Sequence, residues 1–275
     1  MNRLITLILI LFVYFIPACS STPEQYTKLD AHVANAVDTQ SILVQVDHGE
    51  VNILESEDDQ VEVGGEVLFV DKLEYQVSST KKQITIKVFA HQDSFSDLPI
   101  RVFVHIPKHL QVKVETGTAS VFVQDYQGDM EVASTSGDIT IKKTIGKLTL
   151  RSNRGNITVR ESSGTISVVG NYGALTIQNV SGETAASTIM GNVVFSGLIQ
   201  AGDTVRLETD HGAVSVNLKP DSALSLQVRS TSGDVICMLP TINSSTRTCD
   251  GEYQSNGGML SIRTVSGVVI VQLIP

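Results

Sequence analysis

The chain contains no tryptophan, and aromatic residues make up only 5% of its 275 residues. Flat aromatic rings are the surfaces on which many ligands stack, so a sugar-stacking platform has little material here. The sequence also lacks a P-loop, a dinucleotide-binding fingerprint and a Ser-His-Asp order. The usual sequence signatures of nucleotide-dependent enzymes and of triad hydrolases are therefore missing.

Positive charge is scarce as well. Lysine and arginine together number 20 against 29 aspartate and glutamate residues, which gives a formal net charge of -9. A surface with this balance repels nucleic acid and anionic lipid headgroups. We see no basic cluster in the sequence that offsets it, so no nucleic-acid partner is predicted.

Long apolar runs are missing except at the N-terminus. Residues 4–16 carry no charge and follow Arg3, which is the layout of a signal peptide, here residues 1–18. The run is shorter than the roughly 20 residues of a transmembrane helix.

The apolar run ends in Ile16-Pro17-Ala18-Cys19, which resembles a bacterial lipobox with an unusual proline. We predict that Cys19 is lipidated and that its acyl chains anchor the protein to a membrane. The alternative is an ordinary signal peptide next to an unmodified cysteine.

Cysteine is equally rare, with three in the chain. In an exported protein, the two that remain after lipidation of Cys19 are expected to pair. We therefore predict a disulfide between Cys237 and Cys249. The alternative is a buried Cys237 and a free thiol at Cys249. A zinc site is not expected, because no histidine or third cysteine lies nearby in the sequence.

The six histidines form no pattern typical of a metal site. His105 and His109 flank Pro107, and so they do not share one face of a helix, while His48 and His211 each precede a turn glycine. Calcium-binding nonapeptide repeats use a column of aspartates in their turns, which the turns of this chain often lack. The sequence thus predicts no metal and no cofactor.

Glycine, in contrast, is plentiful and regularly spaced. Two series each repeat every 18 residues, and one lies midway between the members of the other, so that the effective period is nine. After most of these glycines the second and fourth residues are apolar, as in Ile139/Ile141, which is the period of a strand with one buried face. The two series are Gly137, Gly155, Gly173 and Gly191, and Gly128, Gly146, Gly164 and Gly182.

A unit of one short strand and one turn cannot bury its apolar stripe alone, so neighbouring units must stack. We predict an all-β fold, a parallel β-solenoid with about 18–21 residues per coil, right-handed by the rule for parallel crossovers. The alternative is an antiparallel sandwich, which does not require a constant period. In the solenoid, one interior column contains Ile139, Ile157, Leu175 and Val193, and the facing column contains Leu148 and Ile166.

Two irregularities are visible in the repeat. The glycine spacing widens to 21 residues from Gly191 to Gly212 and again to Gly233. After Gly182, Thr184 and Ala186 replace the large apolar pair, which predicts a thin coil.

The domain organisation follows from these patterns. We predict that residues 19–40 are the lipidated N-terminus and a polar tether, and that residues 41–275 are the solenoid. Within it, residues 41–115 show strands without the nine-residue period and are expected to form irregular coils that cap the N-terminal end. Residues 116–275 contain the regular repeats and a C-terminal cap, and the segment from Ser266 is expected to close that end.

From Ile100, the string IRVFVHIPKHLQVKVETGTASVFV, followed by STSGDITI, resembles the bacterial envelope family DUF4097, also called the "putative adhesin" domain. The shared features are a strand, the turn Pro107-Lys108, a second strand and Ser-Gly-Asp units that begin at Thr116 and Ser134. The resemblance implies a β-solenoid on a lipoprotein or membrane-tethered protein. It brings no set of functional residues with it.

We predict a non-catalytic lipoprotein of the bacterial cell envelope, held at the outer membrane or the outer face of the cytoplasmic membrane, which binds an envelope protein or glycan for adhesion or scaffolding. One alternative is a carbohydrate-active enzyme, which needs two carboxylates roughly 5 to 9.5 Å apart. Asp129 with Asp138, or Asp203 with Asp210, are its candidates, although turns favour aspartate in any case. The other alternative is an envelope-stress sensor that binds cationic peptides, which the acidic balance suggests.

Overall fold

The computed structural model describes residues 26–68, 73–90, 100–240 and 242–274, and every regular element among them is a β-strand. No helix of this part of the chain is long and apolar enough to cross a membrane. The first seven strands are β1 (Thr27–Asn35), β2 (Ser41–Val46), β3 (Glu50–Glu55), β4 (Gln60–Val67), β5 (Leu73–Ser79), β6 (Gln83–Ala90) and β7 (Ile100–Ile106).

The regular repeats form the next twelve strands, and six further strands complete the C-terminal end. The repeat strands are β8 (Gln111–Thr116), β9 (Ser120–Gln124), β10 (Met130–Ser134), β11 (Ile139–Lys142), β12 (Ile145–Ser152), β13 (Ile157–Arg160), β14 (Ser163–Gly170), β15 (Leu175–Gln178), β16 (Ser181–Met190), β17 (Val193–Gly197), β18 (Thr204–His211) and β19 (Val214–Leu218). The last six are β20 (Leu224–Ser230), β21 (Val235–Met238), β22 (Asn243–Ser244), β23 (Thr248–Tyr253), β24 (Gly258–Ser266) and β25 (Val269–Leu273).

The strands belong to two long sheets, which we call sheet A and sheet B. Sheet A has 12 strands in the order β1-β4-β7-β3-β9-β11-β13-β15-β17-β19-β25-β21. Sheet B has 13 strands in the order β22-β23-β20-β24-β18-β16-β14-β12-β10-β8-β2-β6-β5. From β8 to β19 successive strands alternate between the two sheets, so that each pair forms one coil. The predicted all-β solenoid of stacked parallel strands is confirmed, and the antiparallel sandwich is wrong.

The core lies between the sheets and is built by alternation along each strand. The residues at the second and fourth positions after the turn glycines point inward and are buried. Because equivalent strands stack about 4.8 Å apart, each inward position becomes a continuous apolar column. The predicted column of Ile139, Ile157, Leu175 and Val193 is present in sheet A, and Leu148 and Ile166 are neighbours in sheet B.

Two turn edges join the sheets. At the B-to-A edge a strand of sheet B ends and the chain turns into sheet A, and the A-to-B edge lies opposite. In a B-to-A turn, the Gly155 N–H donates a hydrogen bond to the Ser152 Oγ at 2.9 Å. The Asn156 N–H donates to Asp138 Oδ1 of the preceding coil at 2.7 Å. The recurring Ser-x-x-Gly-Asp/Asn string is therefore a turn that satisfies its own amides and ties one coil to the next.

The turns also approach each other so closely that glycine is required. A Cβ on Gly155 would overlap the carbonyl oxygen of Gly137, and a Cβ on Gly173 would overlap that of Gly155. At the A-to-B edge, Gly164 has a φ of 119°, a backbone conformation that other residues rarely adopt. The two glycine series of the sequence are thus the two turn edges of the solenoid.

The N-terminal end has a strand order that differs from the order along the chain. The coil of β2 and β3 lies between the coil of β6 and β7 on one side and that of β8 and β9 on the other. Strands β4, β1 and β5 then pair antiparallel at this end and cap it. Strand β1 falls within the predicted tether of residues 19–40, so that prediction is wrong for Thr27–Asn35, which pairs with β4 along its length.

The C-terminal end contains an inserted coil. Strands β24 and β25 lie between the coil of β18 and β19 and the coil of β20 and β21, and all these pairings are parallel. The regular step of 21 residues from Gly212 to Gly233 is therefore interrupted, because the Gly267 turn stacks between them. The expectation that the segment from Ser266 closes the end is wrong. Strand β23, antiparallel to β20, covers the end of sheet B instead.

The coil after Gly182 has the small interior side chains that the sequence predicts, but only on the side of sheet B. Thr184 and Ala186 are buried in sheet B, and Phe195, in the same coil, is fully buried in sheet A. A large side chain on one sheet supplies the volume that the other lacks, as close packing of an interior requires.

Replacement of Gly155 by alanine tests the requirement for close approach at the B-to-A edge. We expect Gly155→Ala to lower the free energy of unfolding by about 3 kcal/mol, because the added Cβ must push two coils apart. Urea denaturation followed by circular dichroism measures this loss. Gly64→Ala is the matched control, since a Cβ on Gly64 meets no atom within 4 Å. Equal stability of the two variants would contradict the prediction.

Candidate functional site

The predicted lipidation residue, Cys19, lies outside the described residues. Cys237 and Cys249 lie at the C-terminal end, where their sulfur atoms are 2.02 Å apart in a disulfide and their Cα atoms are 6.5 Å apart. Cys237 belongs to β21 of sheet A and Cys249 to β23 of sheet B. The disulfide therefore joins the two sheets at the end where the last coil has no further coil to pack on.

The two aspartate pairs considered for glycoside hydrolysis are each divided between the two turn edges. Asp129 lies at the A-to-B edge, where its Oδ1 accepts a hydrogen bond from the Lys147 N–H at 3.1 Å. Asp138 lies at the opposite edge, where its Oδ1 accepts a hydrogen bond from the Asn156 N–H of the next coil at 2.7 Å. The carboxylate of Asp203 accepts from the Gly182 N–H at 2.7 Å and from the Gln200 N–H at 2.9 Å. Three of the four candidates are thus engaged by the backbone.

The fourth aspartate and the histidines are also separate from one another. Asp210 is exposed at the B-to-A edge, and the adjacent His211 contacts the Ser266 hydroxyl at 2.7 Å. His48 contacts the Thr118 hydroxyl at 2.6 Å, and His109 contacts the Ala36 carbonyl at 3.1 Å. Among the described residues, no three side chains of histidine, cysteine, aspartate or glutamate come together as metal ligands.

The outer face of sheet B carries a concave surface, which we call the sheet B trough. One groove of 460 Å³ is lined by residues that include Ala133, Arg151 and Val169. A second groove of 220 Å³ shares Val169 and continues past Ala185 to Arg206. Because the two grooves share a residue, they form one open depression that crosses from β8 to β18.

The trough exists because small side chains interrupt columns of long ones. On the outer face, Arg151 of β12 stands next to Val169 of β14, which is followed by Ser187 of β16 and Glu208 of β18. In the neighbouring column, Ala185 of β16 lies next to Arg206 of β18. Strands β14 and β16 therefore form a low floor, and the charged side chains on both sides form walls about 14 Å apart, or three strand spacings.

A network of charged groups lies at the end of the trough that is closer to the N-terminal cap. Lys113 Nζ is 2.8 Å from Glu115 Oε1, and Gln45 Nε2 donates to Glu115 Oε2 at 2.8 Å. The hydrogen bond from Lys113, together with the one from Gln45, holds the pKa of the Glu115 carboxyl below its usual value. The carboxylate stays ionised and fixed next to the groove.

The coil that walls the trough is strongly basic. Within residues 142–160 lie six of the 20 lysines and arginines of the chain. One of them, Lys143, has an acidic neighbour, with Nζ 3.9 Å from Asp125 Oδ1. The solenoid distributes these residues over both sheets and both turn edges, so they surround one coil and do not form a patch on a single face. They are Lys142, Lys143, Lys147, Arg151, Arg154 and Arg160.

The sequence contains a signal for the trough that a search for catalytic motifs misses. Outward positions on most strands carry charged or hydroxyl side chains, whereas Ala133, Val169 and Ala185 are small and apolar at such positions. The meaning of these residues depends on which face of the sheet they occupy and on their neighbours in the adjacent coils. Only the register of the stacked strands supplies that information.

Comparison with known proteins places this geometry in a family. The family model described as Toastrack DUF4097 matches residues 39–272. No curated protein matches the chain.

Solved structures with a similar course of the chain share little sequence with it. A "putative cell adhesion protein" from Clostridium sporogenes is 9% identical, with 91% of this chain and 100% of that chain covered and a TM-score of 0.29. A "putative adhesin" from Parabacteroides distasonis is 10% identical, with coverage of 90% and 98% and a TM-score of 0.39. A "putative lipid binding protein" from the same organism is 10% identical, with coverage of 88% and 96% and a TM-score of 0.33.

Removal of the disulfide should loosen the C-terminal end selectively. We expect a variant with both Cys237→Ala and Cys249→Ala to lose about 2 to 3 kcal/mol of stability, since the bond closes a short loop in the unfolded chain. Amide hydrogen exchange should accelerate in β21 to β23 and stay unchanged in β11 to β13. Reduced wild-type protein is the matched control and should behave like the variant. Free thiols at both positions in unreduced native protein would contradict the prediction.

Substitution of Asp138 distinguishes a structural carboxylate from a catalytic one. We expect Asp138→Ala to cost about 1 kcal/mol of stability, because the Asn156 N–H loses its acceptor, and Asp138→Asn to cost less. Denaturant unfolding measures both. Asp210→Ala, which removes an exposed carboxylate, is the control and should be close to neutral. If Asp138→Ala leaves stability unchanged but abolishes a saccharide-cleaving activity, the structural role is wrong.

Proposed function

We propose, from the premise that this chain belongs to the Toastrack DUF4097 family, that it is a non-catalytic binding protein of the bacterial cell envelope. The observation that supports this function best is the sheet B trough. It is a shallow, open surface on rigid strands, which suits the binding of an extended polymer better than the enclosure of a small substrate.

The chemistry of the trough favours a hydroxyl-rich ligand such as an envelope glycan. Its floor is formed by Ser167, Val169, Ala185 and Ser187, and Asn153 and Asn171 lie at its margin. The amide of Asn171 donates to the amide oxygen of Asn153 at 2.9 Å, so both side chains are held in place. Fixed amides and hydroxyls donate and accept hydrogen bonds, which is what a saccharide chain requires.

Arg151 gives the trough a preference for acidic groups on that ligand. Its guanidinium presents several donors in a planar arrangement that matches a carboxylate or phosphate. Across the floor from Arg151 the opposite wall carries Glu208, and Arg206, two residues earlier on the same strand, lies diagonally opposite Arg151. A polymer with an acidic group every few units would contact both cations. We therefore expect a carboxylated or phosphorylated glycan to bind more tightly than a neutral one.

The proposed envelope location rests on the N-terminal sequence. We propose that residues 1–18 are removed as a signal peptide and that Cys19 is lipidated, which leaves a short connection to Tyr26 before β1. Mass spectrometry of the protein from bacterial membranes tests this, since a lipidated cysteine adds the mass of its acyl groups and Cys19→Ala abolishes it. The net charge of -9 disfavours nucleic acid as a partner.

The two alternative functions have less support from the described residues. Catalysis on a saccharide needs two free carboxylates at a short distance, and three of the four candidates accept backbone hydrogen bonds. A sensor for cationic peptides needs an acidic surface, whereas the coil of β12 and β13 next to the trough is basic. Peptide binding at an acidic loop would be strongly salt-dependent and would not respond to substitutions in the trough.

Filling the trough should abolish binding. We expect Ala185→Glu, in a chain from Tyr26 to Pro275, to reduce retention on an array of envelope glycans and peptidoglycan by at least about tenfold, or 1.4 kcal/mol. The added side chain would occupy the floor between Arg151 and Arg206, and its carboxylate would repel an acidic ligand. Thr176→Glu is the matched control, because it adds the same side chain to the outer face of sheet A in β15.

The same experiment can overturn the proposal. Equal retention of both variants would place the binding surface elsewhere on the molecule. Release of new saccharide ends by the wild-type chain would show turnover and would contradict the non-catalytic function. Loss of binding in both variants, with unfolding visible by circular dichroism, calls for the milder substitution Ala185→Gln.

A further inference from the structure

Exposed apolar side chains lie at both turn edges, and five of those at the B-to-A edge form what we call the apolar ridge. In the middle of the solenoid, Tyr172, Ile189 and Met190 are 59%, 46% and 51% exposed and lie in successive turns. Val265 and Val268 extend the ridge toward the C-terminal end. At the opposite edge, Val37 and Ile145 are 61% and 54% exposed, but their coils are not neighbours.

The backbone that carries the ridge is held rigidly by the stacking of the turns. The Tyr172 N–H donates to the Asn153 carbonyl at 3.0 Å, and the Met190 N–H donates to the Asn171 carbonyl at 2.7 Å. Tyr172 and Met190 thus occupy equivalent positions in successive coils. Exposed apolar side chains on ordered backbone are a common mark of an interaction surface.

Tyr172, Ile189 and Met190 lie in a part of the solenoid that is almost without charge. Between residues 162 and 202 the only charged residue is Glu183, which belongs to the A-to-B side of β16. Arg154 lies in the turn before Tyr172, and the turn with Asp210 and His211 stacks between Met190 and Val265, so that one turn with an acidic side chain interrupts the ridge. Such a surface does not repel an uncharged partner surface, and it gains little electrostatic attraction from a charged partner.

The chain also enters the solenoid at the same edge. Thr27 lies opposite Val67, and Val67 lies opposite Ile100, the first residue of β7. Strands of sheet A that run parallel to β7 begin at the B-to-A edge, so Tyr26, the first described residue, lies there. Seven strand spacings separate β1 from β15, which places Tyr172 about 34 Å from the entry point along one edge.

We propose that the B-to-A edge lies on a lipid bilayer and that the apolar ridge inserts into the boundary between headgroups and acyl chains. The inference rests on the proposed lipid anchor, because Cys19 is seven residues before Tyr26 and an anchor there would keep the edge at which Tyr26 lies close to the membrane. Tyrosine suits the interface, since its ring is apolar and its hydroxyl stays hydrated. The solenoid would then lie along the membrane instead of projecting from it.

The contact is weak alone and effective only for a tethered protein. A few half-exposed side chains give marginal binding from solution, but a tether of a few residues supplies a high effective concentration of membrane. The preferred surface is zwitterionic, because the net charge of -9 opposes anionic headgroups. Binding should therefore be insensitive to salt on neutral vesicles and weaker on anionic ones.

The absence of tryptophan makes a direct test possible. Tyr172→Trp places a single tryptophan on the ridge of the chain from Tyr26 to Pro275, which contains every described strand. An N-terminal hexahistidine tag then anchors this protein to phosphatidylcholine vesicles that contain a nickel-chelating lipid, in place of the natural anchor. Ile145→Trp is the matched control, because Ile145 is 54% exposed at the opposite edge.

We expect the tryptophan emission of the Tyr172→Trp variant to shift to shorter wavelength on the vesicles and to be quenched by brominated acyl chains. The emission of the Ile145→Trp variant should change in neither respect. Adding Ile189→Asp and Met190→Asp to Tyr172→Trp should abolish the shift. An unshifted emission of anchored Tyr172→Trp protein would overturn the proposal. A shift that depends on protein concentration without vesicles would also overturn it, in favour of a second copy on the ridge.

The outcome is independent of the proposed binding function and of lipidation itself. The artificial tag replaces the acyl anchor, so an unmodified Cys19 in the native protein does not affect the measurement. Glycan retention depends on Ala185 in the trough, on the outer face of sheet B, and Tyr172→Trp should leave it unchanged. The two proposals therefore fail or succeed separately.

Discussion

The close approach of successive turns is the constraint on which the rest of the structure depends. Coils that stack at the spacing of a β-ladder bring the turn of one coil against the carbonyl oxygen of the turn before it, as Gly155 lies against Gly137. Glycine permits this approach, and the adjacent Asp or Asn side chain fills the remaining hydrogen-bond requirement. Once the turns stack, the register of every strand is fixed. The inward residues of successive strands then lie next to one another and form the apolar columns.

This constraint explains why the interior and the turns predict so little about function. Most inward positions are apolar, and the turn positions that approach the neighbouring coil are mostly glycine, aspartate or asparagine, so a carboxylate at such a turn is explained by its backbone contacts. The outward positions are free of both requirements. Variation there, such as Val169 next to Arg151 or the uncharged turns around Tyr172, reflects demands from outside the molecule. Function is therefore read from the faces and edges and not from the repeat.

The regular part of the fold could be predicted from the sequence because its signal is local. A period of nine specifies which residues turn and which face inward, and the column from Ile139 to Val193 follows directly. The ends could not be predicted, because their pairing is decided by competition between distant strands. Gly267 stacks between Gly212 and Gly233 although 55 residues separate it from the first of them, and β1 pairs within a segment whose composition resembles a tether. The trough was missed for a related reason, since its floor combines residues from neighbouring coils.

The inserted coil at the C-terminal end has a consequence for how the solenoid ends. Strand β25 lies between β19 and β21 in sheet A, so β21 pairs on its inner side with the last segment of the chain and not with β19 of the preceding coil. The disulfide between Cys237 and Cys249 holds β21 to β23 of the other sheet, and thereby keeps the outermost coil next to the inserted one. A sheet edge that is short and covalently held is a poor template for pairing with another chain. The structure therefore limits growth along its axis, and the surfaces left for recognition are the sheet faces and the turn edges.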